Sequence, residues 1–288
     1  MKKLTKVIYA VLILFVLTII IVTVFIFNSN KDAVIEINND VDYVDEVVIE
    51  GETFNDYKEL WDRNFAINND YVGEIVFDSG LINLPFVCPS KDLNEYVIYD
   101  NYAKVVKDYD NGCESGACSL NDAYLRVDWK TMKYELGGSI FMDYRNNLYD
   151  QNLILYGHHY PSNMKDSRDL FFTPLEKLLT KDNYEANKFF KLVLNGEIRH
   201  YEIVYVYIFN TASEADYENL QFYRTNYNIS YDDVNDDYYK EYINNLEKVK
   251  LYDTGISLTT NDNTVTLQTC LDYDSNGVEI VVAREIEE

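Results

Sequence analysis

The sequence is poor in basic residues, in histidine and in internal repetition. The shortage of basic residues disfavours one class of function. Its 288 residues include 25 Lys and Arg against 49 Asp and Glu, and only 3 His. Residues 32–288 hold 21 of the basic residues and all of the acidic ones, so they carry a net charge of −28. Such a charge repels phosphate backbones, which disfavours nucleic-acid binding. No repeat array or low-complexity tract is present, and hydrophobic residues make up 47% of the chain, enough for a sizeable core.

The N-terminal segment is predicted to be a membrane anchor. Val7 to Phe27 contains no charged side chain and as a helix would span about 30 Å, the thickness of a bilayer's hydrocarbon core. Lysines precede it and no small-residue cleavage site follows, so we expect an uncleaved anchor with a cytoplasmic N-terminus, a cleaved signal peptide being the alternative. The predicted organisation is a cytoplasmic tail at 1–6, a transmembrane anchor at 7–27, a linker at 28–53 and an extracellular domain at 54–288.

The four cysteines do not form a pattern typical of a metal site. Cys113 and Cys118 flank a short Gly-containing loop and outside the membrane could form a disulfide, or could remain free thiols. Cys88 follows the apolar run INLPFV and is interpreted as a packing residue. Because no further ligands lie close to any of them in the sequence, neither a metal nor another cofactor is expected.

The hydrophobic pattern predicts many strands and few helices. An apolar stripe with helical spacing begins at Phe54 and continues through Trp61 and Phe65, and a second helix is predicted from Val234 to Lys248. Residues 100–122 are interpreted as an inserted loop. Few helices among many strands indicate a mostly antiparallel β-barrel decorated by helices. The predicted strands are Glu74–Phe77, Ile82–Val87, Ser139–Met142, Leu153–Tyr156, Phe190–Leu194, Arg199–Phe209, Thr264–Thr269 and Glu279–Arg284.

Cys270 ends the alternating stretch TVTLQTC and is the candidate nucleophile. On a strand, Thr266, Gln268 and Cys270 share one face, opposite the face of Val265 and Leu267. A structural cysteine would more often lie on the apolar face, so this position favours a reactive role for the Cys270 thiol.

A thiol nucleophile needs a nearby imidazole or cation that favours the thiolate. His200 lies inside an alternating segment and is interpreted as a strand side chain. His158 and His159 follow the buried run NLILY and Gly157, where the glycine would let the chain leave the strand sharply. Metal binding by this pair is not favoured, since neighbours on an extended chain point apart. An imidazole is therefore expected at the rim of the barrel.

Several segments resemble one enzyme family. TLQTC resembles the TLxTC signature of the sortases, which are membrane-anchored cysteine transpeptidases of Gram-positive bacteria. The segments INNDYVGEIVF, GGSIFMDYRN, NLILYGHH and LYDTGISLTTNDNTVTLQTC resemble the class B branch of that family, over roughly residues 54–286. The resemblance implies an eight-stranded sortase-like β-barrel with N-terminal helices and a long helix before the penultimate strand.

The resemblance also implies a reaction. The Cys270 thiolate would attack a Thr carbonyl in a sorting signal, NPxT-like in class B relatives, near the C-terminus of a secreted protein. His158 would protonate the leaving amine and later deprotonate the incoming one, usually an amine of a peptidoglycan precursor. The partners would be proteins with such a signal, the peptidoglycan amine and the membrane. A catalytically impaired peptide-binding relative and a plain cysteine peptidase are the alternatives.

The chain departs from the family pattern at a third residue, an Arg that begins the last strand of relatives and stabilises the oxyanion or positions substrate. In NGVEIVVAREIEE this position is Glu279, and the next Arg is Arg284. A bulge could bring Arg284 to the site, Arg224 could reach in from elsewhere, or backbone N–H groups could act alone. Asp272 could orient His158 or be a turn residue. The residues expected to line the substrate groove are Gln268, Thr269, Asp272 and Glu279.

Overall fold

The computed structural model describes residues 57–100, 102–106, 119–160, 171–216, 236–271, 274 and 276–287, and the backbone of four short strands outside these ranges. Residues 57–288 belong to one compact unit, and the residues before them to another. The predicted tail and anchor and most of the predicted linker lie outside the described residues. Within the described part of the chain, no helix has the length and apolar character needed to cross a bilayer.

Twelve strands and three α-helices are described. The helices are α1 (Tyr57–Ile67), α2 (Tyr184–Asn187) and α3 (Asp236–Val249). The strands are β1 (Val47–Ile49), β2 (Glu52–Phe54), β3 (Tyr71–Phe77), β4 (Asn83–Val87), β5 (Lys107–Asp108), β6 (Gly112–Cys113), β7 (Ile140–Met142), β8 (Asn152–Tyr156), β9 (Phe189–Leu194), β10 (Glu197–Asn210), β11 (Thr264–Cys270) and β12 (Gly277–Ile286).

Eight of these strands form a closed barrel in the order β3-β4-β7-β8-β11-β12-β10-β9, with β9 returning to β3. Each contains most of one predicted strand, so the prediction of an eight-stranded barrel is confirmed. The pairings β4–β7 and β8–β11 are parallel, and the other six are antiparallel. The short hairpins β1–β2 and β5–β6 are separate from the barrel, and β5–β6 lies in the predicted inserted loop.

Alternate residues of the barrel strands fill its interior. On β8, β11 and β12 the inward side chains include Leu155, Leu267 and Val281, all fully buried in one hydrophobic cluster. Their neighbours on the same strands face outward. Because the side-chain period of a strand is two, this assignment also fixes which face each polar residue occupies.

Helix α3 precedes the penultimate strand β11 in the chain, as predicted. It covers part of the outer face of the barrel. Its residues Tyr239, Tyr242, Ile243 and Leu246 are buried in a cluster with outward-facing residues of β10 and β12. Burial of side chains of this size contributes about 1.5–3 kcal/mol each, which stabilises a helix too short to persist alone.

The first predicted helix begins later than expected. Phe54 belongs to strand β2, and α1 starts at Tyr57. Within α1, Trp61 stacks on Phe65 with ring centroids 4.4 Å apart, and its indole N–H donates to the carbonyl of Val72 at 3.0 Å. The predicted stripe is thus only partly correct: Trp61 and Phe65 contact each other at helical spacing, but Phe65 is exposed, and the buried residues of α1 are Leu60 and Asn64.

Candidate active site

The parallel pairing of β8 with β11 brings the candidate imidazole and thiol to one rim of the barrel. The register pairs Ile154 with Thr266 and Tyr156 with Gln268. The N–H of Gly157 then donates to the carbonyl of Gln268 at 3.1 Å. Parallel strands end at the same edge of a sheet, so His158 and Cys270, each two residues beyond this last pair, both lie at that edge. These residues are 112 positions apart in the sequence.

Position 157 requires a glycine because the ring of Phe172 lies close to its backbone. A Cβ atom at this position would lie 2.7 Å from Cγ of the buried Phe172 ring. The backbone N–H of Phe172 also donates to the carbonyl of His158 at 3.1 Å. The segment that follows β8 is thus held against the chain near Phe172, and this contact fixes where the imidazole leaves the strand. The expected reason for this glycine was a sharp turn, whereas the structure shows that the position lacks space for a side chain.

His158 is a half-buried imidazole that is neutral at pH 7. Its Nε2 lies 2.8 Å from the carbonyl oxygen of Leu125 and also contacts Nη1 of Arg126. Burial and the charge of Arg126 lower the pKa of His158 to about 4, and the hydrogen bond to Leu125 opposes them only in part. At neutral pH the ring can therefore accept a proton, as a general base must.

Cys270 carries a free thiol at the end of β11 and is an exposed residue. Its surroundings still exclude enough solvent to raise the pKa of the thiol, while the positive charge of Arg126 acts in the opposite direction. With the pKa of His158 lowered and that of Cys270 raised, a neutral thiol beside a neutral imidazole is the stable resting pair. Attack then requires transfer of the thiol proton to the ring.

Arg126 is a residue of this site that the sequence analysis missed. It follows the 3-10 helix Leu120–Tyr124, and its Nη1 donates to the carbonyl of Leu136 at 2.6 Å in addition to its contact with His158. Its backbone carbonyl accepts from the N–H of Glu135 at 3.0 Å. Neither a motif nor a period marks Arg126, because its role depends on contact with a residue 32 positions away.

Arg284 does not reach the thiol, which corrects one expectation. The register places it opposite Thr264, the first residue of β11, whereas Cys270 is the last and pairs with Val278. Six residues of strand separate Val278 from Arg284, or about 20 Å. Arg284 instead donates to the carboxylate of Glu202 on β10 at 3.2 Å. The bulge in the β10–β12 pairing leaves this placement unchanged.

Two of the four predicted groove residues point away from the groove. Thr269 and Glu279 pair with each other on β11 and β12, and both are buried on the inward face. Gln268 is half-buried and shares the outward face with Cys270, as expected. Asp272 lies outside the described residues, as does Arg224. The expectation for Thr269 and Glu279 is wrong because Cys270 and its immediate neighbours on the strand face opposite sides.

The carboxyl group of Glu279 is buried among residues that do not neutralise it. Neither of its oxygens has a hydrogen-bond partner among the described residues. Burial, reinforced by the charge of Glu176, raises the pKa of Glu279 from an ordinary 4.5 to about 8. At neutral pH the side chain is therefore protonated in the folded protein and ionised in the unfolded one.

Replacement of Glu279 by glutamine is expected to stabilise the fold above pH 5. The acid favours unfolding increasingly as pH rises from 4.5 to about 8, because only the unfolded state releases the proton in that range. At pH 7 the ionisable side chain lowers the free energy of unfolding by about 3 kcal/mol, since each pH unit above 4.5 contributes about 1.4 kcal/mol. Urea unfolding of Glu279→Gln and wild type at pH 5 and pH 8 measures it. The exposed Glu241→Gln is the control, and a wild-type excess in stability at pH 8 would contradict the assignment.

The remaining histidines and cysteines have other surroundings. The imidazole of His159 is almost fully buried, and its Nε2 lies 3.2 Å from Oε2 of Glu176, so the two adjacent rings contact different groups. His200 is a strand residue of β10, opposite Ile286. Burial and two nearby carboxylates raise the pKa of Cys88 to about 12, which agrees with a packing role. Cys113 and Cys118, for which a disulfide and two free thiols were both open, lie outside the described side chains.

Sequence comparison relates the chain to two curated proteins named sortase B. The protein from Staphylococcus aureus is 28% identical over 169 residues, which cover 58% of this chain and 61% of that protein. The protein from Listeria monocytogenes is 30% identical over 152 residues, covering 52% and 54%. The matches thus span little more than half the length of these relatives. No protein-family model matches the chain.

Structure comparison gives the same relationship over more of the chain. A mutant form of Clostridium perfringens sortase B superposes with a TM-score of 0.57 and 27% identity, covering 80% of this chain and 87% of that one. Staphylococcus aureus sortase B superposes with a TM-score of 0.57 and 22% identity, covering 80% and 88%, and shows the shared fold. The eight-stranded barrel of this chain therefore matches the fold of these proteins.

Proposed function

We propose that this chain, a homologue of the class B sortases, is a cysteine transpeptidase in which Cys270 is the nucleophile and His158 the general acid and base. The observation that carries the proposal is the parallel β8–β11 register, which supports a site for both residues at one rim of the barrel. The similarity to the two curated sortase B proteins supports it independently.

The first half of the reaction is acyl transfer to sulfur. His158 accepts the proton of the Cys270 thiol as the sulfur attacks the carbonyl carbon of a Thr residue in the sorting signal. Collapse of the tetrahedral intermediate breaks the C–N bond, and the same imidazole gives its proton to the departing amine. The product is a thioester between Cys270 and the N-terminal part of the substrate.

The second half reverses these steps with a different amine. The incoming amine attacks the thioester carbon, His158 takes a proton from its nitrogen, and the sulfur leaves and is reprotonated. We propose an amine of a peptidoglycan precursor as the physiological acceptor, which would attach the substrate to the cell wall. Water in its place would make the enzyme a peptidase, so the acceptor decides between these two activities.

The proposed location is the outer face of a cell membrane. The uncharged run from Val7 to Phe27, with lysines only before it, supports an anchor with the catalytic domain outside. Protease added to intact cells that express the full chain should remove the domain and leave the N-terminal tail protected. Protection of the domain would refute this topology.

The full chain in detergent should cleave NPxT-type peptides after Thr and join the acyl part to triglycine. Peptides in which Thr is replaced by Val serve as the substrate control, and products are separated and weighed by mass spectrometry. A ligated product that rises with amine concentration is the result expected of a transpeptidase. Hydrolysis that is insensitive to amine would identify a peptidase, and binding without turnover would refute the proposed catalysis.

The acid limb of the pH–rate profile should lie near pH 4. Catalysis needs the neutral ring of His158, and its pKa is lowered to about 4, so protonation removes the base only below that pH. An ordinary imidazole would lose activity near pH 6.5. Values of kcat/KM are obtained from initial rates between pH 4 and pH 9. Recovery of activity at pH 7 is checked after exposure to each pH. A limb near 6.5 would show that the surroundings of the ring, including Arg126, do not lower its pKa.

A further inference from the structure

Strand β12 does not supply a cation to the thiol. Its residue opposite Cys270 is Val278, its next residue Glu279 points into the barrel interior, and Arg284 forms an ion pair with Glu202 near the other end. A thioacyl transfer nevertheless develops negative charge on sulfur and then on the carbonyl oxygen. Another part of the chain would have to stabilise that charge.

Arg126 is in position to do so. Its guanidinium is half-buried, contacts the ring of His158 and acts electrostatically on the Cys270 thiol. The guanidinium is held by the bond from Nη1 to the carbonyl of Leu136 at 2.6 Å. The main chain of Arg126 is held separately, because its carbonyl accepts from the N–H of Glu135. A guanidinium held in this way needs little reorganisation when charge develops beside it.

The segment that carries Arg126 is anchored to the barrel. The preceding 3-10 helix begins with a capping box between Ser119 and Asp122. The hydroxyl of Tyr124 donates to the buried carboxylate of Asp70 at 2.7 Å. The N–H of Ser139, next to β7, donates to the carbonyl of Tyr124 at 3.1 Å. The position of Arg126 is thus set by buried contacts two residues away.

The positive charge of Arg126 limits the protonation state of the ring. A doubly protonated His158 would place two positive groups in contact, so the neighbouring guanidinium disfavours it. Arg126 therefore favours the neutral ring, which is the form that removes the thiol proton.

We propose that Arg126 supplies the positive charge of this active site, in place of an arginine on the last barrel strand: it positions the neutral ring of His158 and stabilises the negative charge that develops at Cys270 and the adjoining carbonyl oxygen. The proposal rests on the proposed transpeptidase function. It assigns the role to a loop between the 3-10 helix and β7, which approaches the thiol from the β8 side of the site.

Turnover by three variants tests the proposal. Arg126→Met, which keeps most of the side-chain length without charge, is expected to lower kcat by about 10²–10³-fold with a smaller change in KM. Arg126→Lys should retain more activity than Arg126→Met, since it keeps the charge but not the planar geometry. Arg284→Met is the matched control and should lie within about threefold of wild type. A loss in Arg284→Met without a loss in Arg126→Met would overturn the proposal.

Thiol reactivity tests the same proposal without a substrate. Alkylation of Cys270 by iodoacetamide, a neutral reagent, is followed at pH 8 by peptide mapping. Arg126→Met should react about three- to tenfold more slowly than wild type, because loss of the cation raises the thiol pKa, and Arg126→Lys should restore the rate. Equal rates in wild type and Arg126→Met would refute an electrostatic role.

The two measurements separate the failure of this inference from that of the proposed function. If wild type transfers no peptide, the transpeptidase proposal fails, and the alkylation rates still decide the role of Arg126. Thermal unfolding of each variant shows whether the fold persists. If Arg126→Met unfolds, the comparison of Arg126→Lys with Arg284→Met decides: a loss confined to Arg126→Lys supports the proposal, and equal activities refute it.

Discussion

Replacement of Cys270 by alanine is expected to abolish peptide transfer, with a loss on the order of 10⁴-fold or more. The proposed reaction forms a covalent bond to this sulfur, and a methyl group cannot replace it. Removal of a nucleophile in other enzymes that use covalent intermediates costs on the order of 10⁶-fold. Cys270 is an exposed terminal residue of β11, so the substitution should leave the barrel folded. Product formation by chromatography, beside a thermal unfolding curve, measures both quantities.

Cys88→Ala is the matched control for this substitution. Cys88 packs against the barrel core, and its pKa is raised to about 12, so it carries no reactive thiolate at neutral pH. The variant should lose some stability and keep its turnover per folded molecule. Retention of transfer by Cys270→Ala, or its loss in Cys88→Ala at full folding, would show that the nucleophile has been misassigned.

Replacement of His158 by glutamine is expected to lower kcat by about 10²–10⁴-fold, the usual contribution of a general acid and base. Both halves of the proposed reaction route a proton through this ring, so acylation and transfer should slow together. Single-turnover measurements with rapid quenching separate the two rates. The loss should persist from pH 5 to pH 8, because the ring is neutral throughout that range in the wild type.

His159→Gln provides a control one residue away. The ring of His159 is buried against Glu176 and does not share the partners of His158, which are Leu125 and Arg126. The variant should retain at least about a third of the wild-type kcat. If His159→Gln caused the larger loss, the assignment of the two adjacent imidazoles would have to be exchanged.

Most of the barrel was predictable because its signals are local. Each predicted strand was a short run of apolar or alternating residues bounded by turn-forming residues, and each lies largely within one barrel strand. The amphipathic stripe of α3 likewise predicted its buried face. Phe54 was assigned to the wrong element because its spacing from Trp61 suits a helix, although the residue lies in the separate hairpin β1–β2.

The site was only partly predictable because it depends on register and on distant contacts. Alternation predicts that Cys270 and Gln268 share one face, and the structure agrees. The prediction of Thr269 as a groove residue ignored that rule and is wrong, since this residue is buried on the opposite face. The number of residues between β11 and the next strand does not determine which residue opposes the thiol. Only the register shows that Val278 does, and that Arg284 lies six residues away.

Arg126 illustrates the remaining limit. It lies in a loop with no periodic pattern, and its importance derives from contacts with His158 and Leu136 made after the chain has folded. Long-range contacts between a loop and a strand end leave no trace in spacing or composition. An arginine near a thiol is therefore recognised from coordinates more readily than from sequence.

The central claim is that the thiol of Cys270, activated by His158, carries the acyl group of the substrate. Intact-mass measurement of the full chain mixed with an NPxT-type peptide and quenched in acid tests it directly. The expected result is a mass increase equal to the acyl fragment, located on Cys270 by peptide mapping and discharged when triglycine is added. An unmodified Cys270 under conditions of turnover, or an adduct on another residue, would contradict it.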